Sequence, residues 1–139
     1  MRTPSIILWK PGLSIGVTDL DNDHKMLIKM INRLFGAVLS LDPARVVRAV
    51  LDELLAYVQV HFDREETHMR CHNYPDYVTH QKAHQHLLER VERFRRNYEE
   101  GLTMNLREEI EVTLRDWLVM HIQEQDKRLG LFLNQLGIQ

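Results

Sequence analysis

Apolar side chains recur along this chain at intervals of three and four residues in four separate stretches, the spacing of one buried face on an α-helix. In the first stretch Leu27, Ile28, Ile31, Leu34, Phe35 and Val38 share a stripe that also takes in His24. In the second, Val47, Val50, Leu51, Leu54, Val58 and Phe62 run in phase with His61 and Glu65. The third carries Leu87, Val91 and Phe94 with His80 and His84, and the fourth Leu106, Ile110, Leu114, Trp117 and Leu129 with His121. No segment sustains a two-residue alternation, so no sheet is expected. The pattern predicts an all-α fold, with helices over roughly residues 21–39, 43–70, 76–99 and 104–130. Long helices joined by short loops favour an antiparallel up-down four-helix bundle, here one domain over residues 1–139.

The breaks between stripes carry their own signals. Asp21 stands where an N-cap belongs, its carboxylate placed to accept from the amide of Asp23 or His24. Ser40-Leu41-Asp42-Pro43 reads as a stop and a restart, with Asp42 as N-cap and Pro43 in the first turn. Asn73-Tyr74-Pro75 breaks the second helix and Gly101 ends the third. Residues 1–18 intersperse Pro4, Pro11, Gly12 and Gly16 with Ile6, Leu8, Trp9, Leu13, Ile15 and Val17. They predict an irregular arm that lies on the bundle and buries apolar side chains.

Composition narrows the function classes. A formal net charge of -2 gives no basic surface for nucleic acid or an anionic membrane. The only cysteine, Cys71, excludes an internal disulfide framework and suits a reducing compartment. The apolar run Ile6 to Trp9 is too short for a signal-peptide core, and no stretch approaches a membrane span. A cytoplasmic location is expected. No Ser/His/Asp set, glycine-rich phosphate loop or thiol nucleophile stands out as an active site.

The histidines change the picture. His61/Glu65 and His80/His84 are spaced i,i+4, so each pair projects from one helical face about a turn apart. Either pair alone is a weak signal. All four helices, however, put a histidine in register with the apolar stripe, and antiparallel order brings them to one end. Burying so many imidazoles and carboxylates without a counter-charge would be costly, and a metal centre removes that cost. Near His121 spacing favours Glu124, about 60° around a regular helix, over Asp126, about 140° around. His68 and His72 continue the second stripe toward the break and read as exposed helix-end residues, as does His86 on another face.

These residues closely resemble the hemerythrin family over most of the chain. The signature comprises Leu20-Asp21-Asn22-Asp23-His24, His61-Phe62-Asp63-Arg64-Glu65-Glu66, His80-Gln81-Lys82-Ala83-His84 and Trp117 to Asp126. The resemblance implies a non-haem centre of two iron ions that binds dioxygen. Carried onto this chain, it implies His80, His84 and His121 on one iron and His24 and His61 on the other. Glu65 and Asp126 would bridge them beside an oxo or hydroxo bridge, so the resemblance prefers Asp126 to Glu124. Trp117, Leu118, Phe62, Ile28 and Ile31 are candidate walls of the dioxygen pocket. Reversible dioxygen carriage, storage or delivery, without enzymatic turnover, is the leading expectation, and a protein recipient would be a partner. A dioxygen or redox sensor acting through a separate partner, and a di-iron enzyme acting on nitric oxide or peroxide, are the alternatives.

Overall fold

The computed structural model describes residues 6–101 and 105–139. Four long helices follow a short arm, and the described residues include no strand. Helix α1 is Thr18–Ala37, α2 Pro43–Cys71 and α3 Tyr77–Glu99. The fourth, α4 (residues 106–135), is continuous but not uniform. Its α-helical segments Leu106–Glu109, Trp117–His121 and Lys127–Gln135 are separated by π-helical turns at Ile110–Asp116 and Ile122–Asp126. Met104, the expected start of this helix, lies outside the described residues.

Pairings between helices give the bundle's antiparallel order. Asp23 meets His61 while Arg33 meets Glu53, and Glu66 meets His84 while Asp52 meets Arg95. His80 meets His121 while Arg90 meets Thr113. In each pair one number rises as the other falls. Between the helices lies a continuous apolar core that includes Leu20, Leu34, Leu51, Leu54, Ile110, Leu129 and Leu133. No helix among the described residues is long and apolar enough to cross a membrane.

Of the two expected caps, Asp21 is corrected and Asp42 holds its position. The first helix begins at Thr18, earlier than expected, and Asp21 sits inside its first turn. The Asp21 carboxylate serves the arm instead, accepting from the Ile15 amide at 2.8 Å and from the Ser14 hydroxyl. Asp42 does hold the N-cap position of α2, but its side chain makes no capping bond; Pro43, which has no N–H to satisfy, supplies the start. The break after α2 is built as expected. Asn73 takes the left-handed conformation (φ 55°) and the Tyr74 amide donates back to the Met69 carbonyl at 2.9 Å.

The arm lies on the bundle and buries Ile7, Leu13, Ile15 and Val17. Asn32 of α1 clamps it like a strand partner. Its Oδ1 accepts from the Ile6 and Ile7 amides at 2.9 and 3.1 Å, and its Nδ2 donates to the Ile7 carbonyl at 2.9 Å. Where the arm crosses α4 the helix presents Gly130, and a Cβ there would lie 1.9 Å from the Ile15 carbonyl oxygen.

Candidate metal centre

Each of the four helices delivers its histidines to the same end of the bundle. His24 stands near the start of α1, His61 and Glu65 near the end of α2, His80 and His84 near the start of α3, and His121 and Asp126 toward the end of α4. All seven side chains are buried, with Glu65, Asp126 and His24 fully so. The structure brings all seven together.

They form two overlapping groups able to hold a metal ion. One is His80, His84, His121, Glu65 and Asp126; the other is His24, His61, Glu65 and Asp126, with the ligating atoms of each group within 4.8 Å of one another. Both carboxylates belong to both groups. Asp126 Oδ1 lies 3.0 Å from His80 Nε2 and 3.0 Å from His121 Nε2, while its Oδ2 lies 3.0 Å from His24 Nε2. Glu65 Oε1 lies 3.0 Å from His84 Nε2 and 3.5 Å from His61 Nε2. Each carboxylate thus faces ligands of both groups, the arrangement a bridge between two ions requires.

The donor set fits a metal on its own chemistry. Both oxygens of Glu65, both of Asp126, His24 Nε2 and His84 Nε2 are buried without a hydrogen-bond partner. Buried polar atoms are normally paired, and these point at one another. Burial and the Asp126 charge push the Glu65 carboxyl up, yet the surrounding imidazoles outweigh both and hold it down at about 2. Asp126 is also held well below the usual carboxylate range against burial, first by His121. Burial opposes charge on His80, but Asp126 and Glu65 raise it to about 9. Two anionic carboxylates amid imidazoles make a site that favours a cation.

A second layer of side chains orients the first. His61 Nδ1–H donates to Asp23 at 2.9 Å, and Asp23 also accepts from the Tyr57 hydroxyl at 2.9 Å and faces Arg64 Nε at 3.1 Å. His84 Nδ1–H donates to Glu66 at 3.0 Å, which in turn accepts from Gln81 at 3.3 Å. A carboxylate can only accept, so each bond fixes the tautomer and turns the Nε2 lone pair toward the centre. Burial favours the neutral forms, but the bonds from His61 and Tyr57 hold Asp23 below its ordinary value. Burial and donation to Asp23 push Tyr57 up to about 12. Sequence reasoning missed Asp23, although it occupies a stripe position between Leu20 and Leu27, where an acidic residue needs a partner.

The π turn resolves the choice between Glu124 and Asp126. On a regular helix Asp126 would point away from His121, but a turn that closes i to i+5 returns the fifth residue to the same face. Asp126 is therefore buried at the centre and Glu124 is exposed. His68 turns away and donates to Asp19 on α1 at 3.1 Å, and His86 is exposed.

An apolar cavity of about 20 Å³ lies behind the Phe62 and Trp117 rings that flank this cluster, lined by residues that include Leu27, Ile31, Phe62, Trp117 and Leu118. Phe62 stacks on His84 at 3.7 Å between ring centroids, and Trp117 stacks on His121 at 4.4 Å. Ile28, expected in the wall, is buried in the core but does not line this cavity; its neighbour Leu27 does, a step of about 100° around α1.

Residues 15–131 match the sequence model of the hemerythrin HHE cation binding domain. The chain is 31% identical over 123 residues to a bacteriohemerythrin of Stenotrophomonas maltophilia, covering 88% of this chain and 78% of that one. It is 32% identical over 120 residues to a bacteriohemerythrin of Pseudomonas aeruginosa, covering 86% and 76%. A crystal structure of wild-type hemerythrin superposes with a TM-score of 0.84 at 28% identity, covering 91% of this chain and 96% of that one. A four-helix bundle whose histidines and carboxylates converge as one cation-binding cluster, and a family match over most of its length, place this chain in the hemerythrin family.

Proposed function

We propose that the chain binds dioxygen reversibly at a non-haem di-iron centre, for carriage, storage or delivery rather than turnover. The observation that carries this reading is the pair of ligand groups sharing Glu65 and Asp126 beside a small apolar cavity. His80, His84 and His121 would hold one ion, His24 and His61 the other, with the two carboxylates bridging. The second group has one imidazole fewer, so an ion held there would have more room for an outside ligand. Imidazole and carboxylate together suit ferrous iron. Two ferrous ions held there would supply the electron pair that reversible dioxygen binding needs.

The residues around the ligands support binding without oxidation chemistry. The cavity is on the scale of one small molecule, and its lining is aliphatic and aromatic. Such walls admit an apolar gas and exclude water and charged reductants. Oxygen-activating bundles pair Glu-x-x-His at the metal. Here the residue three after Glu65 is His68, which is committed to Asp19 instead.

Metal analysis with absorption spectra of the reduced protein, under nitrogen, in air and then under vacuum, tests the proposal. Two irons per chain and a visible band that appears in air and disappears under vacuum are expected. Absence of iron, or a permanent spectral change on first exposure to air, overturns it. Leu118→Ala should keep its iron and lose bound dioxygen faster, because the wall residue is truncated while the ligands remain.

A further inference from the structure

A second pocket, lined by residues with polar side chains, reaches His80 of the cluster from the end of the bundle. It measures about 70 Å³ and is lined by Tyr74, Asp76, Thr79, His80, Gln125 and Arg128. Two of those residues point at a missing partner. His80 Nδ1 and Gln125 Oε1 are both buried, and neither has a hydrogen bond from the protein. His61 and His84 have carboxylates behind them, Asp23 and Glu66, whereas His80 has this pocket. Its volume holds water comfortably.

We propose that this pocket is the port through which hydrated divalent cations reach and leave the centre, with Gln125 as a positioning residue. The inference rests on the metal-centre reading above. Water held between the Gln125 carbonyl oxygen and His80 Nδ1–H satisfies both groups and orients the imidazole as the carboxylates orient His61 and His84. Along the same wall Asp76, Tyr74, Thr79 and Gln125 offer oxygen atoms that can replace hydration waters one at a time. Arg128 sits at the exposed rim, tethered through Nε to the Glu124 carbonyl at 3.2 Å. The other approaches are less suited to a cation. The Phe62 and Trp117 side is apolar, so desolvating an ion there is costly. On the Asp23 side the carboxylate is already engaged by His61, Tyr57 and Arg64. Gas and ions would thus use different faces of one centre.

The test follows cobalt(II) uptake by the metal-free protein in stopped flow, and its release into excess chelator, for wild type, Gln125→Leu, Gln125→Glu and Thr79→Val. Gln125→Leu should slow uptake and release together, on the order of tenfold, the factor that about 1.4 kcal/mol added to the passage barrier gives. Gln125→Glu, which keeps an acceptor, should restore the wild-type rates. Thr79→Val, at an exposed position, should slow both by a smaller factor without disturbing the fold. A residue with only a structural role would instead lower the melting temperature and change affinity without moving both rates in parallel. Unchanged rates in Gln125→Leu and Thr79→Val, with cobalt still bound, overturn the port alone. No cobalt uptake by the wild type overturns the port and the metal-centre reading together.

Discussion

Two of the inward histidines, His61 and His84, have their direction set by a carboxylate behind them, and that makes substitutions there informative. His84 is gripped by Glu66 on one nitrogen and lies 3.0 Å from Glu65 on the other. Replacing it by alanine removes a proposed ligand and leaves Glu66 half-buried without its main donor. His84→Ala and His121→Ala should each lower bound iron below two per chain and reduce the melting temperature, because ligation and packing are linked. Iron analysis and thermal melts check both, and unchanged stoichiometry in both variants would count against the ligand assignment. Tyr57 gives a pH prediction. Its phenol is raised in the folded state by burial and by donation to Asp23, so it favours folding fully below the ordinary tyrosine value near 10. That contribution is lost as pH rises from there through about 12. Ultraviolet titration should show a phenolate transition near pH 12 that is absent from Tyr57→Phe.

At the scale of elements, the fourth helix decides most. Its π turn at Ile122–Asp126 carries one more residue than an α turn, and that extra residue brings Asp126 under His121. Deleting Gln123, an exposed residue of that turn, restores regular α-helical register and should swing the carboxylate off the centre. Iron content should then fall while far-ultraviolet circular dichroism still reports a helical protein. The arm offers a second test. Gly130 lets the arm's backbone pass against α4, so Gly130→Ala drives a methyl group into the Ile15 carbonyl. A loss of about 1–3 kcal/mol in denaturant unfolding is expected, the range for overpacking a close contact.

For the whole molecule, the cluster is a liability that a metal converts into a tie. Four helices meet at one end around buried carboxylates and imidazoles, several of whose polar atoms have no hydrogen-bond partner. Metal removal by an anaerobic chelator should lower the melting temperature by roughly 10 °C, taking the linkage expected of a ligand held far above its dissociation constant in a domain of this size. The helical spectrum at low temperature should persist, because the apolar core runs the length of the bundle away from the centre.

The linear order of residues determined the apolar stripes, the number of long helices and the end of the bundle where the histidines gather, because helical periodicity is a local property. It also placed the break at Asn73 and six of the candidate ligands, while Asp126 came from the family resemblance against the spacing. Other features depended on neighbours distant in the chain. Asp21 left its capping role because Ser14 and Ile15 competed for its carboxylate. Asp23 mattered only once His61 and Tyr57 of α2 came to lie beside it. Asp126 could face His121 only through a π turn, which no spacing rule for a regular helix describes. Whether Leu27 or Ile28 lined the cavity was settled by the rotation of α1 against its partners. Periodicity sets which face is buried, but only packing sets the angle at which that face meets its neighbours.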